Sequence, residues 1–196
     1  NCRPEAQPDC YPRAVVGGGI GSPGRAGGVG LRADGPRDRA LAFLGRLVSD
    51  KGMDLLLEAL AILKREDGAA PSLTVIGDGP ERAALQRRIA QLQLSGCVRL
   101  RGALSHHETL AAMRESHALA FAGIEARDGD RDGLPNVLLE AAALGVPIVA
   151  TRIGSVADFA DEENAFLCAP GESGELARTI RRVFADGEVQ RKVVVA

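Results

Sequence analysis

The stretch ALAFLGRLVSDKGMDLLLEALAILKR, residues 40–65, decides the fold. It opens on an unbroken apolar run, residues 40–44. Gly45, Arg46 and Lys51 follow, and then apolar residues recur three and four apart at Met53, Leu56, Leu57, Leu60 and Leu63. A short continuous apolar run reads as a strand buried on both faces. The later spacing places one apolar stripe on a helix, which predicts a helix over residues 52–65. The unit is therefore a strand, a polar Gly-containing loop and a helix.

The same unit returns along the chain. Strands are predicted at residues 72–76, 98–100, 118–122, 147–150 and 166–168. Helices are predicted at 80–94, 105–114, 135–144 and 172–185. Pro80 suits a first helical turn, where a missing N–H does no harm. Ser105 and Glu108 have capping-box spacing, and Gly145 ends the helix before it. Strands alternating with helices imply a parallel sheet covered on both faces, so the fold class is α/β, a Rossmann-like doubly wound parallel sheet. Ligands of such sheets bind beyond the carboxyl ends of the strands. The loops after Leu44, Ile76, Leu100, Ala122 and Ala150 are the places to look.

Residues 1–38 differ in kind. The first 36 residues hold nine Gly and five Pro and show almost no apolar period. Such a composition favours an irregular, disordered segment, leaving residues 39–196 as the folded domain. The whole chain has 196 residues, 45% hydrophobic and 26% charged, with 24 Lys and Arg against 26 Asp and Glu. This near-neutral balance argues against a dedicated nucleic-acid binder. No apolar run reaches the ~20 residues of a membrane helix, and no signal peptide is evident. Cys2, Cys10, Cys97 and Cys168 form no CxxC pair, which points to a reducing, cytoplasmic setting. The chain begins at Asn1 and not at Met, as a fragment would.

Several motifs carry less than they first suggest. GIGSPG at 19–24 fits GxGxxG, yet Pro23 and more glycines follow, and no helix can start there to meet a pyrophosphate. DGDRDG at 128–133 resembles the start of a calcium loop, but its twelfth position is Leu139, with Glu140 one residue late. Asp128 and Asp130 form a DxD pair without a second source of ligands, which reads as a solvated acidic turn. His106 and His107 are adjacent on one helix turn and point about 100° apart, a poor shared metal site and a good surface helix start. His117, at a strand start, reads as structural.

Two stretches concentrate chemistry. In GRLVSDKG, 45–52, Gly45 permits close backbone approach, and Arg46, Lys51 and a helix N-terminus converge at a strand end. That combination suits a diphosphate. In DGLPNVLLE, 132–140, Asp132 precedes a helix and Glu140 lies within it. The N–H groups near Leu134 and Asn136 are those of a helix start. The helix is otherwise nearly all apolar, so Glu140 is a carboxylate on a buried segment and needs partners. Two carboxylates beside an anion-binding helix start suit a nucleotide sugar: they accept hydroxyl hydrogen bonds while N–H groups meet phosphate.

Together these residues resemble a known family. Asp132 to Glu140, with AAALGVPIVA after it, looks like the E-x7-E signature of retaining GT-B glycosyltransferases, closest to family 4, glycosyltransferase group 1. GRLVSDKG resembles that family's phosphate-contacting segment, GDGP at 77–80 its glycine turn, and VRLRG at 98–102 the strand end beside its nucleobase. The DGDRDGLP loop is similar to that of colanic-acid and other exopolysaccharide enzymes. The resemblance spans about residues 39–186 and implies the C-terminal, donor-binding half of a GT-B fold. It implies that Arg46 and Lys51 bind the donor diphosphate, with Gly45 and Gly77 allowing its approach. Glu140 holds the ribose hydroxyls. Asp132, one methylene shorter than the usual Glu, contacts the transferred sugar, and the backbones of Gly133, Leu134 and Asn136 assist. Ala122-Gly123 and Ala157-Asp158 stand where Pro-Ser and Pro-Glu are usual.

The implied function is transfer of a sugar, with retention, from a UDP- or GDP-linked donor to a saccharide or lipid-linked acceptor. No metal or other cofactor is implied, and no nucleic-acid partner. The setting is the cytoplasm, with lipid-linked acceptors drawing the full enzyme to the inner face of the membrane. Two alternatives remain: a truncated module that binds nucleotide sugar without transferring it, and a GT-B-like sugar-nucleotide epimerase.

Overall fold

In the computed structural model, which describes residues 39–124, 135–160 and 165–185, the predicted alternation closes into one sheet. Its strands are β1 (Ala40–Leu44), β2 (Ser72–Ile76), β3 (Val98–Gly102), β4 (Ala118–Phe121), β5 (Ile148–Thr151) and β6 (Ala165–Cys168). The helices are α1 (Met53–Asp67), α2 (Arg82–Gln91), α3 (His106–Glu115), α4 (Asn136–Ala143), α5 (Gly154–Phe159) and α6 (Ser173–Ala185). The six strands lie in the order β3-β2-β1-β4-β5-β6. Every pairing is parallel.

Strand alternation explains the two layers. Successive side chains point to opposite faces. In β1, Leu41 and Phe43 join one core with α1, α2 and α6; Met53, Leu56, Leu57, Leu60 and Leu63 of α1 sit in it at 2% exposure or less. Burying each of these is worth about 1.5–3 kcal/mol. Ala42 and Leu44 point the other way, into a second core with Met113 of α3, Leu138 and Ala141 of α4 and Val156 of α5. Burial on both faces is why the strands read as unbroken apolar runs.

The differences from the sequence reading have local causes. Helix α2 begins at Arg82 and not at residue 80, because the preceding turn is tied down elsewhere: Gly79 N–H donates to Asp78 Oδ1 (2.8 Å) and Glu81 N–H to the Leu47 carbonyl (3.2 Å). It ends at Gln91, where Gln93 takes a positive φ of 56°. Strand β3 extends to Gly102, and β5 runs one residue later than expected, taking in Thr151. Helix α5 and a 3₁₀ turn at Ser49–Lys51 were not predicted. The irregular segment assigned to residues 1–38, with its GxGxxG run, lies outside the described residues, as does the DGDRDG loop.

Candidate functional site

The strand order reverses between β1 and β4, so the chain leaves these neighbours toward opposite faces. In doubly wound sheets such a reversal sets the ligand crevice beyond the carboxyl ends of the two strands, here β1 and β4. The GRLVSDKG segment leaves β1 and Ala122-Gly123-Ile124 leaves β4, side by side. Ile124 N–H donates to the Asp50 carbonyl at 3.0 Å. Gly52 (φ +66°) faces the Ala122 carbonyl so closely that a Cβ would stand 1.7 Å from its oxygen. Thr151 Oγ1, fully buried, donates to the Gly123 carbonyl at 2.6 Å and ties the end of β5 into the same seam.

The GDGP turn closes the other side of the loop. Gly45 N–H donates to Ile76 O (3.0 Å), Leu47 N–H to Asp78 O (3.0 Å) and Gly77 N–H to Gly102 O (2.9 Å). A Cβ on Gly77 would lie 1.9 Å from the Gly45 carbonyl oxygen. Gly45 and Gly77 are thus in direct apposition, and loops from three strands are laced by backbone contacts.

Within this frame Arg46 is exposed, while Lys51 ends the 3₁₀ turn with its side chain 21% exposed. Lys51 Nζ pairs with Asp50 Oδ2 at 3.2 Å. Helix α4 follows Pro135, whose side chain makes no cap hydrogen bond; Leu138 N–H turns back to the Pro135 carbonyl (2.9 Å), so of the first-turn donors the N–H groups of Asn136 and Val137 are those that point outward. Asn136 is its first residue and is exposed. Glu140 projects from the same helix with its side chain 33% exposed. Asp132, Gly133 and Leu134 lie outside the described residues.

Helix α3 brings a residue that spacing alone did not connect to the site. His106, its first residue, remains on the surface as expected, with its side chain 71% exposed, but its Nδ1 lies 3.9 Å from Glu140 Oε1. No sequence signal links two residues on different helices; packing alone does. The start of α3 is fixed by the expected capping box. Glu108 N–H donates to Ser105 Oγ (3.3 Å), and Glu108 Oε2 accepts from Ser105 N–H (3.0 Å) and Ser105 Oγ (2.6 Å). The Ser105 hydroxyl, then its N–H, hold the Glu108 carboxyl below its ordinary range, with Arg101 and His107 adding to the effect.

Cys97 and Cys168 are both buried in the first core. Burial, helped by Glu175, pushes Cys168 up to about 11, so it is a neutral core residue and no nucleophile. Among the described residues no three His, Cys, Asp or Glu side chains cluster as metal ligands. No helix among them is long and apolar enough to cross a membrane.

Comparison with known proteins agrees with this fold. The chain is 31% identical over 153 residues to the amylovoran biosynthesis glycosyltransferase AmsK of Erwinia amylovora, covering 78% of this chain and 37% of that one. It therefore spans little more than a third of that relative's length. Among solved structures, TarM of S. aureus superposes with a TM-score of 0.70 at 19% identity, over 81% of this chain and 31% of TarM. Anabaena HepE in complex with UDP-glucose superposes at 0.68 with 25% identity, over 80% of this chain and 42% of HepE. Residues 34–195 match glycosyl transferases group 1, and on that match, with the doubly wound sheet beneath it, the chain belongs to that family.

Proposed function

We propose that residues 39–196 form the nucleotide-sugar-binding half of a retaining family 4 glycosyltransferase. The full enzyme moves a sugar from a nucleoside-diphosphate donor to a saccharide or lipid-linked acceptor, in the cytoplasm or at the inner face of the membrane. One observation carries the reading. At the switch point between β1 and β4, the Arg46–Lys51 loop is docked against the loop that leads to α4, whose Glu140 carboxylate is two-thirds buried and makes no hydrogen bond among the described residues. A carboxylate so placed keeps its acceptor sites for a ligand.

The roles follow from chemistry. Arg46 and Lys51 neutralise the donor diphosphate, whose charge grows as the sugar leaves. Stabilising that leaving group is this half's main contribution to catalysis. The N-terminus of α4, with Asn136 and the preceding Gly133 and Leu134, offers N–H groups to the same charge. Glu140 accepts the ribose hydroxyls. Asp132 meets the transferred sugar. Gly45 and Gly77 keep the floor of the crevice free of side chains. The UDP-glucose bound by HepE supports uracil as the first base to test. A second reading, donor binding without transfer, is favoured for this chain by its spanning 37% of AmsK.

Thermal unfolding with UDP-, GDP- and ADP-sugars tests the site. Ligand at ~100 times its dissociation constant stabilises by about 2.7 kcal/mol, several degrees for a domain of this size. The expected result is a shift with one nucleotide, lost in Arg46→Ala and in Glu140→Gln. A cooperative unfolding transition that no nucleotide moves would refute the donor site. Incubation with the shifting donor and a saccharide acceptor then separates transfer from binding alone.

A further inference from the structure

We propose that His106 is a positioning residue for the Glu140 carboxylate and, through it, a determinant of ribose recognition, an inference that rests on the donor-site reading above. The His106 imidazole flanks the Glu140 carboxylate, with Nδ1 3.9 Å from Oε1. That separation is too long for a hydrogen bond. The contact therefore uses up neither oxygen's lone pairs. It sets a ring that can carry positive charge beside a carboxylate whose acceptor sites stay open. A direct hydrogen bond would compete with an incoming hydroxyl; a flanking imidazole limits where the carboxylate can swing without competing.

The backbone of His106 is fixed independently of this contact. It is the first residue of α3, and the turn it begins is closed by Ser105 and Glu108 bonding to each other. The other charges at this helix start, Arg101 and His107, bear on Glu108. His106 is the member of the cluster that reaches across to α4. Helices α3 and α4 both pack on the second core through Met113, Leu138 and Ala141, so the gap between the two side chains is set by buried residues on both helices.

Isothermal titration of this chain with UDP and with 2′,3′-dideoxy-UDP, and in parallel with the guanosine pair, separates the roles. His106→Ala weakens the ribonucleotide by about three- to fivefold, the range of a partly exposed ion pair. It leaves the dideoxy nucleotide unchanged, because the hydroxyls that Glu140 receives are absent from it. His106→Lys, which sets a nitrogen-bearing side chain beside the same carboxylate, recovers most of the loss. In a Glu140→Gln background, His106→Ala has no further effect. The side chain is largely exposed, so these variants keep the fold, which circular dichroism verifies. An equal loss for ribo and dideoxy probes overturns the inference, as does no loss at all, failure of the lysine variant to recover binding, or additive losses in the double variant. A wild-type chain that binds none of the nucleotides removes the donor site itself and the inference with it. A wild-type chain that discriminates the hydroxyls but ignores His106→Ala removes the inference alone.

Discussion

Gly52 and Gly77 set how near three loops can lie. Both hold backbone that L side chains avoid, with φ of +66° and +138°, and both face a carbonyl oxygen closer than any Cβ tolerates. Gly52→Ala meets two penalties at once: the left-handed conformation, and a clash with the Ala122 backbone, which has no flexible end to swing away. The expected cost is at least about 1–3 kcal/mol in chemical denaturation. Nucleotide binding should fall by more than the stability loss alone explains, because the clash pushes the β1 and β4 loops apart. Gly45, and through the family resemblance Gly77, were legible in the sequence as sites of close approach; Gly52 was not. What Gly45 and Gly77 approach was not. The family resemblance sets a diphosphate against Gly45 and Gly77; the structure adds that each lies against the other's strand end. Asp50, which pairs with Lys51 and receives the Ile124 N–H through its carbonyl, passed as an ordinary loop residue because its partners are contributed by the fold.

Helices differ in how much of themselves they announce. α1 and α6 carry strong apolar stripes, and α3 declares its start through Ser105 and Glu108. The cap yields a pH prediction. Glu108 is held below its ordinary range in the folded state, so its stabilising contribution is complete above the carboxylate range of the unfolded chain and fades as pH falls through the folded value. Ser105→Ala should cost about 1 kcal/mol near neutrality. The gap between wild type and variant, followed by urea unfolding, should narrow on acidification. A constant gap would mean that the hydroxyl acts without the carboxylate. α5 announced nothing: it has six residues, opens on Gly154 and has no side-chain cap. Its place is set by Val156 and Ala160 in the second core, a tertiary effect outside any local pattern. The contact between His106 and Glu140 was illegible for the same reason, although both residues had been singled out separately.

Among the described residues the sheet has two edges, β3 and β6. Edge β3 carries Arg99 and Arg101, both exposed and two apart, hence on one face, while Val98 and Leu100 turn toward the first core. Charges on an edge strand discourage pairing with another copy. Replacing both arginines with Val should leave the transition midpoint nearly unchanged and raise self-association, read by light scattering against concentration; an unchanged scattering profile would assign the arginines no such role. The strand order has a temporal side as well. β1 finds β2 one helix further along the chain, but it finds β4 only after two further strand–helix units have been made. Non-local pairings close late. The first three strands can thus pair while the crevice does not yet exist, and it comes into being when β4 slots in beside β1. On the proposed donor site, a nucleotide has nothing to grip before that moment. It will slow the escape of β4 from a finished molecule and leave the pace at which new molecules mature untouched.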